Sequence, residues 1–475
     1  MYKRNTDGIN DIIGPAFGTR FLDSPVPKYH MPDDQIPADA AYQIVHDELM
    51  LDGNARLNVA TFVTTWMEPQ AKQLMAEAFE KNMIDKDEYP QTAELECRCV
   101  SMLADLWNAP SDKKPIGTST IGSSEACMLG GMAMKWRWRE RMRAAGKPVD
   151  KPNIVMGVNV QVCWHKFAKY WDIEQRLVPM EGDRFHLGAE EALALCDENT
   201  IGIVVIMGST FDGSYEPAKE INDGLIKLNA EKDWDIPIHI DGASGAMVAP
   251  FLQPDLEWDF RLERVKSINT SGHKYGLVYP GVGWVVWRDE VDLPEDLVFK
   301  VNYLGGQMPT FAINFSRPGN QVIAQYYNFI RLGREGYRRI QQKSQDVAMH
   351  LSSSIEKMGP FALLTRGDDI PVFAFRLKDE CKGCWDVFQL SERMLHRGWQ
   401  VPAYTFPKNR EDLAALRIVV KEGLSWDLAD ELLNCLKQSI ESLEADMAGG
   451  GKEVRSVEPV DIKTDEHERK KFTKC

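Results

Sequence analysis

The chain has 475 residues, 44% of them hydrophobic, and a formal net charge of −15. This length exceeds what a single hydrophobic core usually serves, so we expect two or three domains. The acidic balance disfavours attraction to nucleic acid or anionic membranes, and no stretch approaches the roughly 18 apolar residues that span a bilayer. We therefore expect a soluble, cytoplasmic protein that binds neither nucleic acid nor membrane.

In chain order, residues 1–56 are predicted to form an N-terminal arm that ends in a helix near Ala38–Leu51. Residues 57–344 alternate between strand-like and helical stretches, which predicts a large α/β domain with a mostly parallel sheet. The predicted elements include strands at Ile154–Val158, Ile201–Met207, Ile236–Ile240 and Val265–Thr270, and helices at Glu125–Arg143 and Ala189–Leu195.

A long helical pattern over residues 321–358 is predicted to lead into a second, smaller domain. That domain, residues 345–447, combines the strand patterns Val372–Leu377 and Leu416–Val420 with helical ones, which predicts an α+β fold. Residues 448–475 begin with a glycine run and are rich in charge, so we expect a flexible tail.

Two local patterns invite a functional interpretation and do not receive one. Cys97 and Cys99 form a C-x-C pair, and Cys381 and Cys384 form a C-x-x-C pair, but no histidine flanks either at a ligand-like spacing. Reduced thiols and the absence of a metal site are therefore expected. Residues 135–143 interleave tryptophans with basic residues; a helix with its tryptophans packed inward is favoured over a nucleic-acid groove.

The stretch Gly117–Ala126 is the first of three motifs that carry chemistry. Small and hydroxyl residues run directly into a helical pattern, with Ser123 and Ser124 at capping positions. Because the first N–H groups of a helix are free and carry partial positive charge, this arrangement suits a phosphate group. An ordinary capped helix is the equally weighted alternative.

The second motif, His239–Gly245, places Asp241 at the end of a buried strand, just before small residues. Ligands bind at the carboxyl edge of an α/β sheet, where such a carboxylate can hold a protonated ring nitrogen. A helix-capping aspartate is the alternative, and for the motif alone it is the better one.

The third motif is SGHKYG, residues 271–276, between a strand-like run and an apolar run. For the hexapeptide alone, a lysine on a solvated turn is the better interpretation. The alternative is a lysine near the core, where desolvation lowers its pKa and makes its amine a nucleophile. A phosphate cradle, the acid Asp241 and the amine of Lys274 are together the requirements of pyridoxal 5′-phosphate (PLP).

At this point the chain resembles the glutamate decarboxylase family of bacteria and plants, which are fold-type-I PLP enzymes of the group II decarboxylases. The resemblance runs from about Tyr42 to Val420 and rests on several identical stretches. These include residues 51–56, 121–138, 164–167, 197–202, 271–275 and 314–317. It implies a large domain with a mostly parallel seven-stranded sheet, a small C-terminal α+β domain, and decarboxylation of L-glutamate to 4-aminobutanoate with uptake of a proton.

The resemblance also implies roles for individual residues. Lys274 and Asp241 would be catalytic, with Lys274 attached covalently to the cofactor and Asp241 paired with its ring nitrogen. The further cofactor ligands would be Ser123, Ser124, Gln161, Thr210, Ala243, Ser271, His273 and Ser316, the last donated by a neighbouring subunit. The substrate ligands would be Thr61, Phe62, Asp85 and Lys421. Tyr303 and Leu304 would lie in an active-site hairpin.

Lys421 is read as a departure from the family, which usually has an arginine for the substrate α-carboxylate in the C-terminal domain. A lysine keeps the charge but loses the bidentate fork, so decarboxylation of another amino acid stays open as an alternative. A different PLP reaction, or a scaffold without activity, is a more remote one. A shared site implies at least a homodimer, with a hexamer as the larger assembly.

Overall fold

The computed structural model describes residues 28–301, 308–381 and 385–448. Residues 55–445 form one compact unit, and the described residues outside it include helix α1, Ala38–Leu49. Residues 1–27 of the predicted arm and 449–475 of the predicted tail, together with Tyr303, Leu304 and Cys384, lie outside the described residues. In the described part of the chain, no helix combines the length and the apolar character needed to cross a bilayer.

A seven-stranded sheet forms the centre of the large domain, in the order β1-β7-β6-β5-β4-β2-β3. Only β7 runs antiparallel to its neighbours. The strands are β1 Ile116–Thr120, β2 Asn153–Gly157, β3 Glu174–Val178, β4 Thr200–Ile206, β5 Ile238–Asp241, β6 Val265–Thr270 and β7 Gly283–Trp287. The inner strands are buried along their length, as the apolar runs in the sequence predict.

Helices cover the sheet and shield its faces from water. Trp164 and Phe167 of one helix pack with Trp138 of another in a buried cluster against β2 and β4. The helices of the large domain are α2 Pro69–Ala76, α3 Pro90–Leu106, α4 Ser123–Ala144, α5 Val162–Tyr170, α6 Ala189–Ala194, α7 Ala218–Lys232 and α8 Ala249–Leu252. Trp138 is buried, so the tryptophan-basic run is part of a packed helix, as predicted.

The long helix α9, Gly319–Lys357, leads from the large domain to the small one and is not continuous. At Gly333 the backbone has φ 57° and ψ −172°, which glycine adopts readily and other residues do not. The predicted single helix is therefore two helical segments that meet at a kink. A short hairpin of β8 Phe299–Val301 and β9 Met308–Thr310 precedes it.

The small domain has its own buried core under a four-stranded antiparallel sheet ordered β10-β11-β13-β12. Its elements are β10 Phe361–Leu363, β11 Val372–Leu377, α10 Val387–Leu395, β12 Ala403–Thr405, β13 Ala414–Val419 and α11 Trp426–Ala448. The predicted α+β character is confirmed, and β11 has the predicted bounds. The division of the chain at residues 56, 344 and 447 stays a prediction.

Candidate active site

The carboxyl ends of five strands lie at one edge of the large sheet. β2, β4, β5 and β6 are parallel, and β1 runs in the same direction because β7 is antiparallel to both β1 and β6. A cavity of about 450 Å³ lies at this edge. Its lining includes eight of the predicted residues: Ser123, Ser124, Gln161, Thr210, Asp241, Ala243, His273 and Lys274.

The start of α4 forms one side of this cavity. Strand β1 ends at Thr120, and Gly122 occupies the position that precedes the helix. The hydroxyl of Ser271 donates a hydrogen bond of 2.7 Å to the Ser123 hydroxyl, which ties the end of β6 to this helix start. A Cβ on Gly283 would lie 2.7 Å from the Ser123 nitrogen, so a glycine is required for β7 to approach so closely.

Glu125 fixes the loops around the same helix start. One carboxylate oxygen accepts a hydrogen bond of 3.0 Å from the backbone nitrogen of Ile121. The other accepts from the backbone nitrogens of Ile313 and Asn314, at 2.9 and 3.0 Å. This buried side chain therefore joins the β1–α4 turn to the segment that precedes Ser316.

Lys274 is partly buried and enters the cavity from the turn that follows β6. Its Nζ lies 3.5 Å from the hydroxyl of Ser244 and 5.0 Å from the centre of the Phe62 ring. Burial lowers the pKa of Lys274 below the usual lysine value, and the Asp241 carboxylate opposes that shift. When the pKa is lowered, a larger fraction of the amine is neutral and able to attack a carbonyl carbon.

Asp241 closes β5 and is 5% exposed. One carboxylate oxygen accepts a hydrogen bond of 2.8 Å from the Trp164 indole. The other accepts weaker bonds of 3.3 Å from the Asn269 amide and the Ala243 backbone nitrogen. Two sequence-distant side chains thus hold the carboxylate in one orientation at the cavity wall.

His239 lies two residues before Asp241 on the same face of β5 and supports it from behind. Its ring nitrogens contact the Ser267 hydroxyl at 2.7 Å and the Asn269 carbonyl oxygen at 2.8 Å. Burial lowers the pKa of His239 to about 4, so the ring is neutral at pH 7. A Cβ on Gly130 would lie 2.4 Å from this ring, which explains a glycine in the middle of α4.

His273 provides a direct test of whether the cavity suits a phosphate-bearing group. Its Nδ1 is buried and has no hydrogen-bond partner among residues 28–301, 308–381 and 385–448. Burial, followed by the charge of Lys274, lowers the pKa of His273 to about 4. A ring nitrogen, two serine hydroxyls and a helix N-terminus are the donor set that a phosphate requires, so the residues present fit PLP.

Other predicted cofactor ligands lie around the same cavity. The side chain of Gln161 accepts a hydrogen bond of 2.8 Å from the backbone nitrogen of Cys163 and so caps α5.

The thiols of Cys127 and Cys163 lie within 4.8 Å of the Asp241 carboxylate. Burial raises the pKa of Cys127 well above the usual thiol value, which disfavours the thiolate that metals bind. The predicted absence of a metal stays a prediction.

Arg417 is a residue that the sequence analysis did not select. It lies in the middle of β13, and its guanidinium is 5.1 Å from the same Phe62 ring that lies 5.0 Å from Lys274 Nζ. It donates to the backbone carbonyls of Thr210 and Ala60, and its Nε is buried without a partner in the described part of the chain. A single arginine inside the apolar pattern Leu416–Val420 was the available signal.

Lys421 lies elsewhere. Its side chain lines a second cavity, which does not include Lys274 or Asp241 in its lining. Thr61 is exposed, and neither it nor Asp85 lines the cavity of Lys274. Among the four predicted substrate ligands, Phe62 is the one that the structure brings next to Lys274.

Ser316 and Asp85 lie close together on another surface. Ser316 is exposed and accepts a 3.4 Å hydrogen bond from the Asn82 amide, while the backbone nitrogen of Asp85 bonds to the Asn82 carbonyl at 3.1 Å. Arg317 anchors this surface because its buried guanidinium contacts Ser119 and lies 3.6 Å from Glu96. Apart from Lys421 in the second cavity, the predicted ligands thus include a group at the cavity of Lys274 and a pair, Ser316 and Asp85, that both contact Asn82.

The chain is similar to known proteins over most of its length. Residues 27–378 match the pyridoxal-dependent decarboxylase conserved domain. The chain is 57% identical to the glutamate decarboxylase of Aliivibrio fischeri over 91% of its length and 93% of the relative. It is 50% identical to glutamate decarboxylase 5 of Arabidopsis thaliana over 93% and 89% of the two chains. The solved glutamate decarboxylase of Lactobacillus brevis superposes with a TM-score of 0.88 at 48% identity, covering 90% of this chain and 98% of that one.

Proposed function

Since the chain belongs to the pyridoxal-dependent decarboxylase family, we propose that it converts L-glutamate to 4-aminobutanoate and CO2 with PLP as its cofactor. The observation that carries the proposal is the pairing, in one cavity, of Lys274 with an oriented Asp241 beside a phosphate-suited helix start. The relatives that bear the name glutamate decarboxylase are 50–57% identical over most of the chain, which supports the substrate.

PLP, when bound, supplies an aldehyde for covalent attachment and a protonated ring that accepts the electrons of the bond to CO2. Lys274 would hold it covalently, Asp241 would pair with its ring nitrogen, and Ser123, Ser124 and His273 would bind its phosphate. Because Lys274 Nζ is the amine in this cavity, we also assign to it the return of a proton to the substrate α-carbon.

Asp241 acts through its fixed orientation. The hydrogen bonds from Trp164 and Asn269 keep its carboxylate at the cavity wall, so it needs no reorganisation when charge develops nearby. Burial strengthens this effect because the local dielectric constant is low.

We assign the substrate α-carboxylate to Arg417 in place of Lys421. Arg417 shares the Phe62 ring with Lys274, whereas Lys421 belongs to the second cavity. The sequence analysis took Lys421 as the counterpart of the family's arginine. We now propose Arg417, on β13, as that counterpart. The alternative of another amino-acid substrate depended on Lys421 and loses its support.

We propose that the active site is shared in a homo-oligomer of at least two subunits. Ser316 is the ligand predicted to come from a neighbour, and it is exposed. Asp85 contacts the same Asn82 as Ser316 and does not line the cavity of Lys274, which supports a role for both residues at a neighbouring subunit's cavity. The acidic composition and the scattered cysteines support a cytoplasmic location.

The proposal is tested on the purified protein in two steps. Borohydride reduction followed by peptide mapping is expected to place the cofactor mass on the peptide that contains Lys274. Release of CO2 is then measured with glutamate, aspartate, tyrosine and cysteine, and glutamate is expected to be preferred by at least a hundredfold. A Lys274→Ala protein that decarboxylates glutamate at the wild-type rate would overturn the assignment.

A further inference from the structure

A second cavity of about 590 Å³ lies in the compact unit formed by residues 55–445. Its volume falls within the range of about 300–1,000 Å³ that is typical of small-molecule sites. The wall combines apolar side chains with charged ones, and the apolar group includes Val59, Leu277, Leu332, Ile340 and Val419. Apart from Lys421, none of the residues assigned above to cofactor or substrate lines it.

Lys421 is the central feature of this cavity. Its residue is 7% exposed, and its Nζ has no hydrogen-bond partner in the described ranges 28–301, 308–381 and 385–448. A buried ammonium without a partner costs several kcal/mol, which proteins rarely tolerate unless a ligand or a function compensates. Burial lowers the pKa of Lys421, and an anion bound beside the amine would favour its charged form.

The other ionisable groups of the wall leave this charge uncompensated. Lys343 adds a second ammonium, held by the carbonyls of Glu422 and Leu424 at 3.1 and 3.0 Å. Glu68 accepts from the Tyr327 hydroxyl at 2.6 Å and pairs with Arg331 at 3.1 Å, so its charge is already engaged. Arg56 and Arg339 complete the charged groups of the wall.

Glu422 follows Lys421 in the chain, and its charge opposes the lowering of the Lys421 pKa. Lys421 Nζ and Glu422 Oε1 are nevertheless both buried without a hydrogen-bond partner in the described part of the chain. Burial raises the pKa of Glu422, which favours its neutral form. A protonated carboxyl can donate a hydrogen bond to an anion rather than repel it.

The kink of α9 forms part of the wall. Leu332 and Ile340 lie on opposite sides of Gly333, and both line the cavity. Leu277 contributes from the other side, in the left-handed region at φ 64°, and its carbonyl accepts a 2.6 Å hydrogen bond from Asn328. An interrupted helix and a left-handed residue thus provide space for a ligand's apolar portion.

We propose that this cavity is a binding site for a small carboxylate with a short aliphatic chain. The carboxylate would pair with Lys421 and Lys343, and the chain would contact the apolar side chains of the wall. Charge-assisted hydrogen bonds supply the orientation, and burial of the aliphatic part supplies much of the affinity.

The site is distinct from the cavity of Lys274, but the two are close, because only the chain segment with Thr64 and Thr65 separates them. Thr64 bonds to the carbonyls of His273 and Lys274 at 2.8 and 2.7 Å, and its neighbour Thr65 lines the second cavity. A binding experiment must therefore distinguish the two cavities, which the Lys421 variants below do, because Lys421 lines the second cavity and not the first.

The test uses the holoenzyme after borohydride reduction, which fixes the cofactor in the first cavity. Binding of 4,4,4-trifluorobutanoate is followed by fluorine NMR, with butanoate and butanamide as unlabelled competitors. Saturable binding is expected, with displacement by butanoate and none by the uncharged amide. Lys421→Met and Lys421→Gln are each expected to weaken binding by about tenfold to a hundredfold, whereas Lys421→Arg retains it.

Lys227→Met is the matched control, because Lys227 is an exposed lysine on α7 away from both cavities. It removes the same charge and is expected to leave the dissociation constant unchanged. Retention of wild-type affinity by Lys421→Gln, equal displacement by butanamide, or the absence of saturable binding to the wild-type protein would each overturn the proposal.

Discussion

The indole nitrogen of Trp164 donates a hydrogen bond of 2.8 Å to a carboxylate oxygen of Asp241. The two residues are 77 positions apart in the chain and meet because α5 packs across the carboxyl edge of β5. Trp164 is fully buried, and its ring also meets the edge of His239 at 5.2 Å. The orientation of the carboxylate is thus set by the packing of a helix, as well as by its own strand.

Trp164→Phe is expected to weaken cofactor binding. The substitution keeps an aromatic ring but removes the donor, and a hydrogen bond to a buried carboxylate contributes about 1.5–3 kcal/mol. We expect the dissociation constant of PLP to rise by about tenfold or more, measured by the loss of cofactor absorbance on dilution and dialysis. Phe167→Leu, which changes the same aromatic cluster without touching Asp241, serves as the control.

Arg417 and Lys421 offer a direct comparison of two basic residues in adjoining parts of the small domain. If Arg417 holds the substrate α-carboxylate, Arg417→Met is expected to lower kcat/KM for glutamate by at least about tenfold more than Lys421→Met does. Steady-state kinetics at constant PLP concentration provide the measurement. A larger loss for Lys421→Met would restore the prediction made from the sequence.

His239 is expected to make stability depend on pH. Its pKa is lowered to about 4 in the folded protein, against about 6.5 in the unfolded chain. The unfolded chain binds more protons in between, so this contribution to stability is fully present above pH 6.5 and is lost as pH falls towards 4. Thermal unfolding between pH 4 and 7 should show a shallower dependence for His239→Asn. A parallel dependence for both proteins would contradict the assignment.

The proposed sharing of the active site between subunits predicts complementation between two defective subunits. Lys274→Ala lacks the covalent lysine, and Asp85→Ala lacks the residue predicted to reach a neighbour's cavity. In a random mixture of the two proteins, about a quarter of all sites would combine both intact residues. After co-expression, activity of about a quarter of the wild-type value is expected. If Asp85 acts within its own subunit, the mixture stays inactive.

Periodicity and local chemistry were sufficient to predict much of the fold. The apolar run that became β4 and the capped start of α4 follow from rules that act over a few residues, and the structure has both. The kink at Gly333 was missed because an isolated glycine inside a helical pattern is usually tolerated. Its backbone geometry depends on packing that the pattern does not contain.

The site was predictable to the extent that its residues follow strand ends. Asp241 ends the buried strand β5, Lys274 lies in the turn after β6, and the sheet brings both to one edge. Arg417 and Lys421 are four residues apart in the chain, but β13 ends between them at Val419, so the alternation that decides which side chain faces which cavity also ends there. Sequence position therefore pointed to Lys421, whereas the structure brings Arg417 and Lys274 to the same Phe62 ring.

If the active site is shared between subunits as proposed, Glu125 links assembly to cofactor retention. Its carboxylate holds the turn before α4 with one oxygen and the backbone of Ile313 and Asn314 with the other. Ordering of the phosphate end of the cavity therefore also orders the chain segment that leads to the exposed Ser316. By linkage, binding of PLP would tighten subunit association, and dissociation into monomers on dilution would release PLP.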